Sequence, residues 1–383
     1  MSDIQQSTLL EEPRAIDVVA IERELTQLWK RATDESDDAR APVVRACALN
    51  LVVLTDDVAR LRPVERLVGD VTLEHPARIF LIHADRSGQR PSLDAWISAR
   101  CSVPVPGEKQ VCCEQITLRG VGGECEKIPS VVASLLVPDV PSVLLWKAGI
   151  GDDGTLMPEL AELVDRVLID SSDEPEPVTL LLSWGAFVVS RHAQVLSGDL
   201  AWTHLTAWRS AMAQTFGPDE TRLLLGEIGS VAVTVSTSTS PVHSGTSQAF
   251  LLLAWLSDRL HWSVVSGMSG DAVRGFSVSF SSASGTVAGS VRVGDAALPG
   301  PGGIEEMTLT TRSGVEISLA SGEGRSCIRS EIRPPNGAAT SGVLWARDRD
   351  ETAVVAQELE ILDRDPIYMA ALDVLQILLG GAR

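Results

Sequence analysis

Apolar residues at Ile21, Leu25, Leu28 and Trp29 recur at helical spacing, so the pattern predicts a helix after Asp17. The acidic run at 33–38 reads as a solvated linker. A dense apolar run at 46–55 has strand length, 56–68 can form a helix, and 77–85 reads as a second buried strand. Stretches 95–103 and 111–119 read as paired strands, with the turn residues VPVPGEK between them. After the glycine-rich RGVGGE, 125–136 reads as a helix, 142–149 as a strand, 156–165 as a helix and 165–170 as a strand. Strands that alternate with helices predict an α/β domain with a mainly parallel or mixed sheet. The polar segment 171–177 reads as a boundary loop or as a connection within a larger domain.

The pattern then changes. Helical stretches are expected near 178–193, 203–215 and 218–225, a strand at 228–236, and a polar loop STSTSPVHSGTS after it. A helix at 247–260 and a strand at 261–266 follow. From 276 to 332, short alternating segments are separated by turns at SASG, LPGPGG and RSGV, the signature of an antiparallel meander. Two helices close the chain. In the last, Asp365 can cap, Pro366 suits the first helical position, and Ile367, Ala371, Val374 and Leu378 share a face that ends at Gly380. The expected architecture is thus α/β and α+β: a mobile tail at 1–14, a mixed α/β sheet domain at 15–175, and a helix-containing domain with an antiparallel β meander at 176–383.

Composition narrows the class. The formal charge of −19 over 383 residues argues against a sequence-independent nucleic-acid binder and against electrostatic attachment to an anionic membrane. An apolar share of 44% with 22% charged residues is that of a folded protein, not of an acidic disordered tail. The start of the chain has no basic segment followed by an apolar one, so no secretory signal is read. The most apolar stretch, 128–146, is interrupted by Pro129, Pro138, Asp139 and Pro141 and does not suit a spanning helix. A cytoplasmic protein is expected, with its six cysteines as reduced thiols.

Candidate chemistry is sparse. Gly122 and Gly123 follow a predicted strand and precede a predicted helix, where backbone N–H groups could meet an anion with Arg119 or Lys127 assisting. The loop lacks a phosphate-loop ending and a third fingerprint glycine, Glu124 and Glu126 would repel a phosphate, and a plain tight turn is the competing reading. Cys112, Cys113 and Cys125 cluster near Cys101 and could form a thiol switch; buried small hydrophobes are the alternative. Cys112 and Cys113 are adjacent in a predicted strand, so at most one is expected to face the core. No CxxC pair, paired-histidine ligand set or nucleophile elbow occurs, so neither metal, cofactor nor catalytic residue is assigned. His75 and Arg78, before and within a strand, are a candidate anion or partner contact, against a turn histidine. In the segment 198–216, Leu205, Trp208 and Met212 share a helical face, while Trp202 lies roughly 120° away from Trp208. One apolar stripe cannot easily bury both indoles; packing in the core and at the helix entry is the commoner explanation, and Asp199, Trp202, Trp208 and Arg209 as a candidate partner surface are the alternative.

RACALNLVVLT (45–55), EHPARIFLI (74–82), CCEQITL (112–118), LLVPDVPSVLLW (135–146), DRVLIDSS (165–172), DLAWTHLTAWRSAMAQTF (199–216) and LLLAWLSDRLHW (251–262) form an ordered set of landmarks. Together they resemble the OpcA-type glucose-6-phosphate dehydrogenase assembly proteins of bacteria. The resemblance implies a non-catalytic factor that binds glucose-6-phosphate dehydrogenase, favours its active oligomer and supports NADPH production in the oxidative pentose phosphate pathway. In photosynthetic relatives it implies a link to thioredoxin, although the cysteine spacing here is not a recognisable thioredoxin-target pair. The alternative expectation is an enzyme that binds a sugar phosphate or nucleotide at the glycine-rich loop 120–123.

Overall fold

The two hydrophobic patterns build two sheets. The computed structural model describes residues 8–9, 14–36, 43–102, 110–150, 156–172, 176–191, 195–236, 245–271, 274–294, 303–322, 326–346, 349–361 and 363–380. Most of the expected tail 1–14, the turn at 103–109 and the polar loop at 237–244 lie outside the described residues. The chain divides into two compact units. The first holds 1–169, 191–197 and 351–363; the second holds 170–190, 198–350 and 364–383. The first crossing lies near the expected boundary at 175, and two later segments return to the first unit.

The chain runs through β1 (Thr8–Leu9), β2 (Arg14–Ile16), α1 (Ile21–Ser36), β3 (Val43–Arg45), β4 (Leu49–Thr55), α2 (Leu61–Val71), β5 (Ala77–Asp85), β6 (Ser92–Ser102) and β7 (Gln110–Val121). It continues through α3 (Ile128–Leu135), β8 (Ser142–Lys147), α4 (Leu156–Ala161), β9 (Arg166–Ile169), α5 (Pro177–Arg191) and β10 (Leu196–Asp199). In the first unit the sheet order is β6-β7-β5-β4-β8-β9-β10. The pairs β7–β5, β5–β4, β4–β8 and β8–β9 are parallel, and β6 is antiparallel to β7. Strands β4, β8 and β9 are buried along their whole length, as is all but the last residue of β5, which is why they read as unbroken apolar runs. Two expectations change. Residues 8–9 and 14–16, placed at or beside the tail, pair with β6. The acidic run at 33–38 is helical through Ser36, because α1 does not stop at its last apolar position.

A polar residue in the middle of this sheet shapes a loop. Asn50 of β4 is fully buried; its amide donates to Val137 O at 2.9 Å and Ser142 Oγ at 3.0 Å, and its Oδ1 accepts from Val137 N at 2.9 Å. Its hydrogen bonds replace the water that the loop backbone lost on burial.

The second unit holds α6 (Leu200–His204), α7 (Thr206–Thr215), α8 (Asp219–Arg222), β11 (Ile228–Ser236), α9 (Thr246–Arg259), β12 (Ser263–Asp271), β13 (Gly275–Ser282) and β14 (Gly285–Gly294). Then come β15 (Ile304–Thr311), β16 (Glu316–Ser321), β17 (Cys327–Arg333) and β18 (Thr340–Trp345); α10 (Glu351–Leu359) returns to the first unit, and α11 (Pro366–Gly380) closes the second. The sheet order is β12-β13-β14-β11-β15-β16-β17-β18. All pairs are antiparallel except β11–β14, so the expected meander is two antiparallel halves joined by a central strand parallel to one of them. Helix α11 packs on α5 at Gly185, where a Cβ would run into the Gln376 side chain. Trp184 Nε1 donates to Tyr368 Oη at 2.7 Å in the same core. The buried face of α11 is Tyr368, Ala371, Leu372, Leu375, Leu378 and Leu379; Ile367, expected on that face, is 42% exposed. The core covers a wider arc of the helix than a single stripe, and its centre is displaced from Ile367.

Candidate functional site

The segment with the most distinctive sequence begins at the end of β10. Asp199 caps α6: its Oδ1 accepts from Ala201 N at 2.9 Å and from Ser171 N at 3.0 Å. The residue is fully buried, and burial pushes its carboxyl up to about 7 despite those hydrogen bonds. Ser247 Oγ donates to Ser171 O at 2.6 Å, which anchors the first turn of α9 beside the same group. Trp202 Nε1 donates to Asp365 Oδ2 at 2.8 Å. The other oxygen of Asp365 accepts from Ile367 N at 2.9 Å and Tyr368 N at 3.0 Å, capping α11 as expected. The Arg209 guanidinium stacks 3.6 Å from the centre of the Trp202 ring, a cation–π contact.

The expected partner surface is therefore corrected. Asp199 and Trp208 are fully buried and Trp202 is nearly so, while Arg209 is half-buried against Trp202. The helix breaks at Leu205 into α6 and α7, which releases the two tryptophans from a common helical wheel and lets both enter the core. The signal available in sequence was an aspartate at the start of the helix; that Trp202 would find Asp365, 163 residues away, was not legible.

His75 and Arg78 are likewise structural. Arg78 is buried and pairs with Glu114 at 2.8 Å and Glu22 at 2.7 Å, and it donates to Leu135 O. Burial pulls its pKa down, but Glu114 and Glu22 outweigh that, and the net shift is upward. Glu114 also pairs with Arg45 at 2.8 Å and accepts from Trp29 Nε1, so one buried carboxylate ties together α1, β3, β5 and β7. His75 is half-buried in the turn before β5, where its N–H donates to Val71 O at 3.0 Å.

The glycine loop is a turn packed against its neighbour. Gly122 has φ of +59°, and a Cβ there would lie 2.9 Å from Gly88 O. Gly123 is exposed, Lys127 pairs with Glu124 at 2.8 Å, and Arg119 is an exposed residue of β7 opposite Asp94. The cations expected to assist an anion thus stand beside carboxylates or across from one. The cysteine expectations also change. Cys112 is bonded to Cys101, its direct neighbour across β6 and β7, so these two are not reduced thiols. Cys112 and Cys113 are both buried, because both faces of the sheet are covered there. Burial raises Cys113 to about 11 and also raises Cys125, which disfavours their reactive thiolates, while Cys112 is held by Cys101.

Sequence reasoning missed a crevice at the carboxyl ends of the parallel strands. In an open α/β sheet the ligand crevice lies where the strand order reverses. Here that point is beside β4, between its neighbours β5 and β8. A cavity of about 240 Å3 sits there, lined by Asp56, Asp85, Arg86, Ser87 and Trp146 among others. In a dinucleotide site, the turn after the central strand is glycine-rich and offers N–H groups to the pyrophosphate. Here it reads Thr55-Asp56-Asp57, and Asp57 Oδ1 accepts from Ala59 N at 2.8 Å, filling the first helical turn with a carboxylate. These residues do not fit a pyrophosphate. Among the described residues, no three His, Cys, Asp or Glu side chains converge as metal ligands, and no helix is long and apolar enough to cross a membrane.

Two family models match the chain. One describes the N-terminal domain of a glucose-6-phosphate dehydrogenase subunit, over 68–185, and the other describes the C-terminal domain of that same subunit, over 196–372. A protein of Nostoc punctiforme is 30% identical over 202 residues, which cover 52% of this chain and 41% of that protein. A protein of Synechocystis sp. is 29% identical over 201 residues, 52% of this chain and 40% of that one. Each is named as a proposed OxPP cycle protein OpcA, and the chain spans about two-fifths of its length. A proposed oxidoreductase from Parabacteroides merdae superposes with a TM-score of 0.51 at 10% identity, covering 89% of this chain and 98% of that one. An oxidoreductase domain protein from Kribbella flavida gives 0.50 at 10% identity, covering 87% and 96%. At that identity the likeness is one of fold.

Proposed function

Because the chain belongs to the OpcA family of glucose-6-phosphate dehydrogenase assembly proteins, we propose that it is a non-catalytic partner of that dehydrogenase. It binds the dehydrogenase, favours its active oligomer and so supports NADPH production in the oxidative pentose phosphate cycle. The observation that carries the non-catalytic part is the turn after β4. In that turn Asp56, which lines the crevice, and Asp57, which follows it in the chain, stand in place of a glycine-rich loop. A carboxylate that caps the helix and repels phosphate counts against a nicotinamide dinucleotide at this turn. This supports a role in which the fold presents surface.

Activation requires only that the chain bind the active oligomer more tightly than the other states. A tenfold preference, about 1.4 kcal/mol, shifts the population tenfold. The test mixes the full chain with purified dehydrogenase from the same source and follows NADP⁺ reduction and oligomer mass. The expected result is a larger assembly with higher activity. Unchanged mass and activity at saturating chain would sink the reading.

A further inference from the structure

One face of the β11–β18 sheet holds the core of the second unit; Val231, Val233, Phe280, Val287, Met307, Leu309, Ile317 and Leu319 are buried there. The alternate positions form the opposite face. The strand registers place Ser269, Ser277, Ser290, Ala232, Thr308 and Ser318 side by side, and the row continues through Glu331 to Ser341. It crosses all eight strands without a break. Every residue of the row is half-buried or exposed, so no described element covers it. From Ser269 to Ser318 the side chains of the row are short, and the longer Glu331 follows on β17.

Two further properties of this face point to its occupant. Its charges nearly balance: the same side carries Arg292, Arg329 and Arg333 against Asp271, Glu306, Glu316 and Glu331, in a chain of net charge −19. Two copies repel one another across most surfaces but not across this one. At its β18 edge it carries Val343, 55% exposed, and Trp345, 78% exposed. A tryptophan is the residue type most often found as an interface anchor. The area also fits. With strands about 4.8 Å apart and about seven residues of about 3.3 Å each, the face covers roughly 800 Å2, close to the ~800 Å2 each partner buries in a stable complex.

We propose that this face is a homodimer interface, on which a second copy of the chain packs the same face, sheet on sheet. Two such faces pack at the usual sheet spacing of about 10 Å, where the side chains of both interdigitate. The contact is isologous, so it closes as a dimer and leaves no open end for further growth. The self-association goes beyond the partner role above and does not rest on it.

Sedimentation of the full chain across the micromolar range tests this. The expected species has twice the 40.9 kDa chain mass. Ser290→Arg at the centre and Trp345→Asp at the edge are each expected to raise the dimer dissociation constant at least ~10-fold, because each change enters an isologous interface twice. Ile377→Asp, on an exposed position of α11, is expected to leave the dimer intact. Circular dichroism and melting of each variant check folding, and Trp345→Asp alters a side chain that is already mostly in solvent. A chain that stays monomeric throughout, or a dimer unchanged in both face variants, overturns the proposal. So does a monomer whose face variants lose the dehydrogenase instead, since the face would then belong to that partner. Dehydrogenase activity is not the readout, so failure here leaves the assembly-factor reading standing.

Discussion

The carboxyl of Asp199 titrates near 3.8 when unfolded, but burial lifts it to about 7 in the folded chain. Between those values the folded state holds a proton that the unfolded state has lost. Stability from this group is therefore full below about pH 4, falls as pH rises, and is lost by about pH 7. Asp199→Asn keeps an acceptor for the cap and removes the titration. Urea unfolding at several pH values between these limits should show a falling stability in the wild-type chain and a flatter line in the variant. Parallel slopes would refute the assignment. Nearby, Trp202 serves as donor to Asp365 and as platform for Arg209. Trp202→Phe keeps a ring and deletes the donor, so a loss of about 1–3 kcal/mol is expected, since an acceptor of the α11 cap is left underused. Chemical denaturation measures it.

At the scale of elements, apolar runs made β4, β5, β8 and β9 legible, because a strand buried on both faces has no polar positions to break the run. Their order in the sheet was not legible, since each parallel neighbour arrives by a separate crossover. The same limit hid the Cys101–Cys112 bond. Spacing in sequence says that two cysteines are near; only the register of β6 on β7 sets Cys101 opposite Cys112 rather than beside Cys113. The bond closes a short loop, and chain entropy predicts that replacing both cysteines by serine costs about 3 kcal/mol. Denaturant unfolding of the double variant, with thiol counting by mass spectrometry on the wild-type chain, checks both the cost and the pairing. Two alkylated thiols at these positions in the folded wild-type chain, without reductant, would contradict it. The break between α6 and α7 belongs to this scale too: a helical wheel drawn through Leu205 exposes a tryptophan that the real turn buries.

For the whole molecule, the charge of −19 first served to exclude polyanionic partners. If it also steers the chain toward the dehydrogenase, association should be salt-sensitive. Raising ionic strength until the screening length falls from about 10 Å to about 3 Å should slow the on-rate several-fold and change the off-rate little. Surface-bound kinetics over a salt series reads both; a salt-independent on-rate removes steering from the account. By itself, the sequence determined most of the helices and strands, where Asp365 caps the last helix, and which family the ordered landmarks resemble. Those features depend on neighbours a few residues apart. Only the tertiary structure decided that Asp199, Trp202 and Trp208 face inward, that Asp56 and Asp57 stand where a phosphate-binding loop would be, and that the small residues of eight strands join into one open face. Each of those depends on strand order and register between distant segments, which local periodicity does not encode.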